Sequence, residues 1–488
     1  MKPVRTRFAP SPTGYLHIGG LRTALYAYFF ARQHQGSLVF RIEDTDRERY
    51  IPGATEALIR TLDVMGISYD EGPVLDDKGD IAEKGSFGPY IQSKRLDTYK
   101  QWAEELLRVG SAYRCFCSAE RLETMRREQT LAKRMTKYDR TCLHLSKEES
   151  DRRAGAGESY VIRLLVPDGE TIFEDVVYGA MKFPNADVDD QVLLKSDGFP
   201  TYHLAVVVDD HFMEISHVLR GEDWISSTPK QIMLYAALGW EAPTFAHLPN
   251  LLNADRTKLS KRQGDVAVED YLKRGYLPAA LNNFVATLGF NPKSDQEIYS
   301  TEELTALFDL SRVNRAGAVV NYEKLDWVNA HYLRHLNIEE LARAVHPFSE
   351  TLDFQNPVLL RALTVERERA TTLAELPGRL GPYLEPLDYD PGLLVWRKST
   401  REDAVAQLGR LVEHLSTVAD EIFSEVLALE NNVQTYLAAN QLDRGGVLWP
   451  MRVALSGKAQ SPSPYELAWV FGKLETLYRL EEARKRLA

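Results

Sequence analysis

The chain has 488 residues, of which 44% are hydrophobic and 26% are charged, and its 59 basic and 70 acidic residues give a net charge of −11. This length predicts roughly three to five domains, and the apolar content excludes intrinsic disorder. The longest apolar run, Ala24–Ala31, is much shorter than the roughly 20 residues that a membrane span needs. Three cysteines and no apolar secretion signal predict a cytoplasmic protein. The acidic balance requires that any nucleic acid be bound through local basic surfaces.

The first third of the chain alternates extended apolar runs with amphipathic helical runs, which is typical of βα units and a parallel sheet. The predicted strands are Arg5–Ala9 and Leu38–Ile42, and the predicted helices are Ile18–Gln33 and Ala54–Met65. A looser pattern follows and indicates an insertion, with a helix at Leu96–Val109, a basic stretch containing the cysteines, and strand-like runs at Tyr160–Val166 and Gln191–Lys195.

Strand and helix alternation resumes at Pro200–Val208, so the interrupted α/β fold is completed there. Thr228 is predicted to cap a helix over Lys230–Leu238, because Pro229 suits the first helical position. After Asn329 the strand signals end, and helical stretches are separated by Pro and Gly. The remaining part, roughly 150 residues, is therefore predicted to be all-α.

Two segments have the composition of phosphate-binding loops. Pro10–Gly20 joins the first strand to the first helix, where backbone N–H groups and the helix dipole attract phosphate. Gly19 and Gly20 leave room for a ring or a phosphate at the backbone, and His17 can donate a hydrogen bond to a phosphoryl oxygen. The plain alternative is a tight turn with an incidental histidine.

The second segment, Asp255–Gly264, holds four cations among ten residues. Such a loop can grasp a triphosphate and release pyrophosphate, although a solvated basic loop has the same composition.

Together the two segments resemble the signature motifs of class I aminoacyl-tRNA synthetases, His17-Ile18-Gly19-Gly20 and Lys258-Leu259-Ser260-Lys261-Arg262. Further segments resemble bacterial glutamyl-tRNA synthetases over essentially the whole chain: Arg7–Gly14, Arg41–Asp46, Pro200–His203, Val208–His211 and Arg220–Asp223. Gly20 stands where the class-wide motif has histidine, which leaves His17 as the only imidazole of the motif.

The resemblance implies an α/β, Rossmann-like catalytic domain, an α+β acceptor-binding insertion and an all-α anticodon-binding region. The implied boundaries are 1–93 and 200–251 for the two catalytic halves, 94–199 for the insertion, 252–335 for a stem-contact domain with the Lys258–Arg262 loop, and 336–488 for the helical region. The implied partners are tRNA(Glu), ATP and L-glutamate, with no membrane, and a monomer is expected.

In the implied reaction the glutamate α-carboxylate attacks the α-phosphorus of ATP, and glutamate then passes to the terminal adenosine of tRNA. Catalysis is assigned to three residues that place charge on the phosphates with Mg²⁺: His17, Lys258 and Lys261. The residues expected to bind ATP are these three together with Thr13, Gly19 and Gly20.

Glutamate needs one cation for each carboxylate and one anion for its ammonium. The matched residues are Arg7 with Tyr202 for the side-chain carboxylate, Glu43 with Ser11 for the ammonium, and Arg220 for the α-carboxylate. Val206 stands where some relatives have asparagine, so discrimination must rest more on Arg7 and Tyr202.

The cysteines form two short groups, Cys115-Phe116-Cys117 and Cys142-Leu143-His144. Such groups indicate a zinc site in a protein without disulfides, and the alternative is three cysteines without a metal. A zinc-bearing branch of the family shows the same spacing, which implies structural Zn²⁺ on Cys115, Cys117 and Cys142, with Tyr138 or His144 as the fourth ligand.

Two features point to tRNA. The stretch Arg121–Arg140 carries seven basic and three acidic residues, which suits either phosphate contacts or a solvated helix. Arg369 falls where the family reads the last anticodon base and favours glutamate tRNA over glutamine tRNA. A glutaminyl enzyme is disfavoured because its C-terminal β-barrels have no signal here. A free nucleotidyltransferase or a shortened tRNA-modifying paralogue does not need so large a helical region.

Overall fold

The protein is described by a computed structural model that covers residues 3–259, 267–293, 295–385 and 387–488. The chain divides into two compact units. The first consists of Met1–Leu272 and Pro278–Tyr322, and the second of Lys273–Leu277 and Glu323–Ala488. Lys261 and its neighbours 260 and 262–266 lie outside the described residues.

Strands in the described residues are confined to the first part of the chain. They are β1 (Arg5–Phe8), β2 (Ser37–Phe40), β3 (Gly72–Leu75), β4 (Ile81–Lys84), β5 (Ala112–Cys115), β6 (Val161–Leu164), β7 (Glu170–Asp175), β8 (Gly179–Pro184), β9 (Val192–Leu194), β10 (His217–Gly221), β11 (Thr244–Leu248), β12 (Leu251–Leu252) and β13 (Ala318–Val319). The helices among them are α1 (Ile18–Gln33), α2 (Ala54–Val64), α3 (Leu96–Arg108), α4 (Ala119–Leu131), α5 (Lys147–Gly155), α6 (Tyr202–Phe212), α7 (Thr228–Leu238), α8 (Val268–Lys273), α9 (Pro278–Thr287) and α10 (Thr301–Leu307).

The main sheet has six strands in the order β2-β1-β10-β11-β7-β8. All its pairs are parallel except the hairpin of β7 and β8, and the register sets Arg220 beside His247 and Phe245 beside Asp175. Smaller sheets are formed by β5-β6-β9, β3-β4 and β12-β13. The parallel strands end at one edge of the sheet, where ligands bind in open α/β folds.

The helix α1 shows why this part folds as predicted. His17 caps its first turn, Leu21, Ala24, Leu25 and Phe29 are buried, and the helix packs against β1. Their spacing of three and four residues places them along one face of the helix. The predicted helix and the observed helix have the same bounds.

The second unit is helical. Its helices are α11 (Tyr322–His335), α12 (Ile338–Val345), α13 (Pro357–Glu366), α14 (Leu376–Leu380), α15 (Arg401–Thr417), α16 (Val426–Ala439), α17 (Arg444–Ser456) and α18 (Pro464–Leu487). α15, α16 and α17 pack on α18, with Leu408, Leu411 and Leu415 of α15 fully buried. Gly472 has φ of 71° within α18 and interrupts its helical path, a conformation that glycine adopts without a Cβ clash.

The predicted strands and helices of the first third are present, and their ends lie within two residues of the prediction. The segment from 200 to 208, where strand and helix alternation was predicted to resume, contains the start of α6. The predicted cap at Thr228 is wrong. Ser227 precedes α7, and the Thr228 hydroxyl instead donates to the Trp224 carbonyl and accepts from Arg220. Among the described helices, none is long and apolar enough to cross a membrane.

Candidate active site

A large cavity opens at the carboxyl ends of the parallel strands β1, β2, β10 and β11. Its volume is about 930 Å³. It gathers ten of the residues predicted for ATP and glutamate: Arg7, Ser11, Thr13, His17, Gly19, Gly20, Glu43, Tyr202, Arg220 and Lys258. These residues come from positions as far apart as 7 and 258, so the fold brings together what the motifs predicted separately.

His17 stands at the start of α1 and is held there by a specific bond. Its Nδ1 accepts the backbone N–H of Gly20 at 3.1 Å. A Cβ on Gly19 would lie 3.1 Å from the same Nδ1, and one on Gly20 would lie 2.8 Å from Leu16 Cδ1. Gly19 therefore leaves room for the imidazole, and Gly20 leaves room for the side chain of Leu16. Because Nδ1 is an acceptor, the neutral ring carries its proton on Nε2, the donor that a phosphoryl oxygen requires.

Lys258 also lines the cavity. Its Nζ forms an ion pair with Asp223, and both side chains are more than half exposed. This partner was not predicted from the sequence, although Asp223 lies in one of the family motifs. An exposed pair of this kind is weak, so an anionic ligand can compete for the lysine.

Arg7 and Glu43 are linked by a buried network of charges. Arg41 Nη1 forms an ion pair with Asp210 Oδ1 at 2.8 Å, and Arg41 Nη2 donates to Glu43 Oε1 at 3.0 Å. Arg7 donates from Nε to the same Asp210 oxygen at 3.4 Å and from Nη1 to the Leu219 carbonyl at 3.3 Å. The pair Asp210 and Arg41 therefore connects the two residues predicted to hold opposite ends of glutamate.

Asp209 lies beneath this network and is fully buried. It accepts from Arg95 Nε at 2.7 Å, from Gln92 Nε2 at 2.8 Å and from the Tyr99 hydroxyl at 2.8 Å. Arg41 Nε is 3.8 Å from Asp209 Oδ2. This carboxylate joins the floor of the cavity to the segment from 92 to 99.

Electrostatics favour a bound cation next to Glu43. Burial raises the pKa of Glu43 above its ordinary value, although the charges of Arg41 and Arg7 oppose the shift. An ammonium group placed beside this carboxylate would stabilise its charged form.

Arg220 is held by three partners at once. Nε donates to His247 Nε2 at 3.0 Å, Nη1 to the Tyr202 hydroxyl at 3.0 Å and Nη2 to the Thr228 hydroxyl at 2.8 Å. A guanidinium has five N–H donors, so one on each Nη remains for a ligand. A carboxylate can accept from both of these donors.

Tyr202 contacts the same site on its other side. Its ring lies 4.1 Å from that of Trp224, a cavity residue that the sequence analysis did not single out. Val206, one turn further along α6, is buried in the apolar core and does not line the cavity. The hydroxyl of Tyr202 accepts from Arg220, so the structure places this side chain with the residue predicted for the α-carboxylate.

Comparison with known proteins identifies the family. A model described as tRNA synthetases class I (E and Q), catalytic domain, matches residues 3–327, and one described as anticodon binding domain matches residues 340–484. The chain belongs to the class I tRNA synthetases. The predicted catalytic α/β fold with a helical anticodon-binding region is thereby confirmed.

Relatives of this synthetase agree over full length. It is 43% identical over 500 residues to a glutamate–tRNA ligase of Clostridioides difficile (strain 630), covering 99% of both chains. It is 42% identical over 503 residues to one of Alkaliphilus metalliredigens (strain QYMF), covering 100% of both. A crystal structure of a glutamate tRNA ligase from Elizabethkingia meningosepticum, in complex with its amino acid, superimposes with a TM-score of 0.88 at 33% identity and 100% coverage of each chain.

The three cysteines of the synthetase come together in its first unit. Their sulfur atoms lie within 4.8 Å of one another, with Cys117 Sγ 3.6 Å from Cys142 Sγ. Sulfurs at the corners of a zinc tetrahedron are about 3.8 Å apart for Zn–S bonds of about 2.3 Å, so the cluster fits the ion.

The position of a fourth ligand differs between the two candidates. The Tyr138 hydroxyl is 3.3 Å from Cys117 Sγ and accepts the backbone N–H of Cys142 at 3.0 Å. His144 ends the same 3₁₀ turn as Cys142 but is exposed, and it is not among the described residues that form the cluster. The turn buries Cys142 and directs His144 away, so the structure does not bring His144 to the site.

The basic stretch of the synthetase forms an exposed surface. α4 has no buried residue. Arg121 and Arg140 form ion pairs with Asp139 and Asp190 at 2.6 and 2.8 Å, whereas four further cations are solvent-exposed: Arg126, Arg127, Lys133 and Arg134.

Arg369 lines a cavity of about 400 Å³ in the second unit, together with three other cations, Arg379, Arg452 and Lys458. The aromatic rings of Tyr383 and Phe471 form part of its wall. The neighbouring Arg367 is used differently, because its Nη1 donates to the Leu336 carbonyl at 3.0 Å. The structure therefore separates the two arginines that the sequence places side by side.

Proposed function

We propose that this chain is a glutamate–tRNA ligase that activates L-glutamate with ATP and transfers it to tRNA(Glu) for protein synthesis. The observation that carries the proposal is the single cavity in which two cations and one anion matched to glutamate face a histidine and a lysine suited to phosphates. Glutamate has this charge pattern, and glutamine lacks the second carboxylate.

In the proposed complex Arg7 binds the side-chain carboxylate of glutamate, Glu43 with Ser11 binds the ammonium, and Arg220 with its two outward donors binds the α-carboxylate. The α-carboxylate oxygen attacks the α-phosphorus of ATP and forms the bond of glutamyl-adenylate, and pyrophosphate leaves. The terminal hydroxyl of tRNA then attacks the activated carbonyl, and AMP leaves.

His17 and Lys258, with Lys261 from the segment outside the described residues, act on the phosphates. Charge grows on the oxygens of the α-phosphorus and of the leaving pyrophosphate, so donors and cations already in place lower the barrier. Thr13, Gly19 and Gly20 line the wall on which ATP would lie. Mg²⁺ would neutralise part of the phosphate charge when bound with ATP.

The test is aminoacylation with radiolabelled glutamate on purified glutamate and glutamine tRNAs. The proposal requires ATP-dependent labelling of tRNA(Glu) and release of AMP and pyrophosphate. Labelling with glutamine in place of glutamate would contradict it. We further propose that the enzyme works as a monomer.

Zinc is proposed as a structural ion on Cys115, Cys117 and Cys142, with Tyr138 as the fourth ligand. We expect about one zinc per chain to survive dialysis and Cys117→Ser to lose it. The ion would stiffen the segment that holds the acceptor end, so its loss should raise the KM for tRNA and leave the KM for glutamate nearly unchanged.

Atomic absorption of protein purified without chelator measures the zinc content directly. His144→Ala serves as the control and should retain the metal, whereas Tyr138→Phe should bind it more weakly. Absence of metal from the unmodified protein would refute a zinc site.

Arg369 is proposed to read cytosine at the last anticodon position through its guanidinium, in a pocket with the room and the aromatic walls for a base. Arg369→Gln should then relax the choice between cytosine and guanine at this position. The preference for tRNA(Glu) over tRNA(Gln) should fall by about 1–3 kcal/mol, with adenylate synthesis almost unchanged.

Charging of both tRNAs at two salt concentrations distinguishes base recognition by Arg369 from a phosphate contact. Loss of a phosphate contact would weaken the binding of both tRNAs equally and reduce its salt dependence. Arg367→Gln is the matched control. Its guanidinium is used within the unit, so its effect should fall on stability and not on tRNA choice. Equal losses for both tRNAs in Arg369→Gln would exclude base recognition.

A further inference from the structure

Three buried polar side chains form a line across adjacent strands of the main sheet. Asp175 ends β7, His247 lies in β11 and Arg220 lies in β10, and each is at most 5% exposed. Parallel pairing places Arg220 directly beside His247. The line therefore runs from the β7–β8 hairpin, inside the predicted insertion, to the wall of the active-site cavity.

The contacts in this line determine which atom donates and which accepts in each hydrogen bond. Asp175 Oδ1 accepts the backbone N–H groups of Val177 and Tyr178 at 3.0 and 2.9 Å, which fixes the carboxylate. Asp175 Oδ2 is 2.6 Å from His247 Nδ1, and Arg220 Nε is 3.0 Å from His247 Nε2. Because the Arg220 nitrogen can only donate, Nε2 must accept, and the ring proton must lie on Nδ1 facing Asp175.

The protonation state of the ring agrees with this geometry. Burial lowers the pKa of His247 below its ordinary value, and the charge of Arg220 lowers it further, while the bond to Asp175 opposes the shift. A neutral ring keeps the lone pair on Nε2 that Arg220 needs. A protonated ring would set two N–H donors against each other.

The third bond completes the orientation of the guanidinium. Thr228 and Tyr202 hold the two outer nitrogens, and His247 holds the inner one. Three fixed nitrogens define the plane of the group, so its two remaining N–H bonds are directed before any ligand binds. Preorganised donors of this kind avoid the cost of ordering them during the reaction.

We propose that His247, oriented by Asp175, is a positioning residue that fixes Arg220 for the α-carboxylate of glutamate. This rests on the proposed function, because it deepens the role assigned there to Arg220. His247 does not touch the substrate. It acts on the oxygen that attacks ATP only through the arginine.

Two substitutions of His247 separate the acceptor role from simple space filling. In His247→Gln the side-chain oxygen can take the place of Nε2 and accept from Arg220, whereas His247→Asn is too short to reach it and retains only the group near Asp175. We expect His247→Asn to lower kcat/KM for glutamate by about 10- to 100-fold, as misplacement of a reacting group does. His247→Gln should recover most of this loss.

Binding of a ligand without the α-carboxylate distinguishes a positioning role from general damage to the sheet, because general damage would weaken the binding of this ligand as well. L-4-amino-5-hydroxypentanoate keeps the ammonium and the side-chain carboxylate of glutamate. Its inhibition constant, and the KM for ATP, should be nearly the same in both His247 variants and the unmodified enzyme. Asp175→Asn should show the same glutamate-specific loss, which keeps the test available if a His247 variant does not fold.

Two further variants make the outcomes distinct. His217→Asn removes a histidine from the same sheet, three residues before Arg220, and should leave kcat/KM for glutamate unchanged. If Arg220→Ala lowers kcat/KM for glutamate but His247→Asn does not, the positioning role is wrong and the proposed function stands. If Arg220→Ala has no effect, the assignment of Arg220 to the α-carboxylate fails. A loss in His247→Asn that also extends to the hydroxy analogue and to ATP would show a merely structural role and overturn the proposal.

Discussion

Arg7→Leu should lower kcat/KM for glutamate by about 10³-fold while ATP still binds. The side-chain carboxylate of glutamate would enter a cavity from which water has been displaced and would find no cation opposite it. Removing one partner of a buried, hydrogen-bonded charge pair costs about 2–5 kcal/mol or more, and each 1.4 kcal/mol corresponds to about a factor of ten. Little of the loss should come from unfolding, because Asp210 keeps its ion pair with Arg41, at 2.8 Å, when Arg7 is removed.

Arg5→Leu is the matched control for this experiment. Arg5 lies two positions earlier in β1, is also buried, and pairs with Glu71 at 2.8 Å away from the cavity. Its loss should lower the thermal stability and leave the KM for glutamate unchanged. The measurements are steady-state aminoacylation with varied glutamate, ATP binding by calorimetry and thermal unfolding of both variants. If Arg7→Leu charges glutamate with near-normal efficiency, the side-chain pocket lies elsewhere.

Much of this site could be predicted from short segments, because most of its residues lie near the carboxyl ends of strands or at the start of a helix. Gly19 and Gly20 in the first turn of α1 are close in sequence to the capping residue His17, so their roles at a helix start can be inferred locally. Arg7, Glu43 and Arg220 were assigned from motifs, and the fold places all three in one cavity because their strands end at the same edge of the sheet.

The supporting residues could not be predicted in the same way. Asp175 belongs to a hairpin that the sequence analysis did not predict, and it reaches His247 only because β7 pairs with β11. Strand order is set by contacts between distant segments, and a local hydrophobic pattern carries no information about it. The alternation of apolar and polar residues along the sequence also does not show that Asp209 and Arg41 are buried, because buried charges depend on partners that are far away in the sequence.

Asp209→Ala should destabilise the first unit by about 3–5 kcal/mol, the cost typical of removing one partner from a buried ion pair. Asp209 is fully buried, and the substitution would leave Arg95 without the carboxylate that accepts its Nε–H at 2.7 Å. Gln92 and Tyr99 would each lose an acceptor in the same step.

Asp46→Ala is the control that shows how much of the expected destabilisation in Asp209→Ala comes from the burial of the ion pair. Asp46 forms an equally short pair with Arg49, at 2.6 Å, but both side chains are largely exposed, at 43% and 73%. Removing an exposed pair costs about 0–1 kcal/mol. Hydrogen exchange followed by mass spectrometry on peptides covering α3 and α6 reports the stability of the unit that contains Asp209, without requiring the whole chain to unfold in one step. Hydrogen exchange should accelerate strongly in Asp209→Ala and barely in Asp46→Ala. Similar protection in the two variants would mean that the carboxylate of Asp209 does not hold α3 and α6 together.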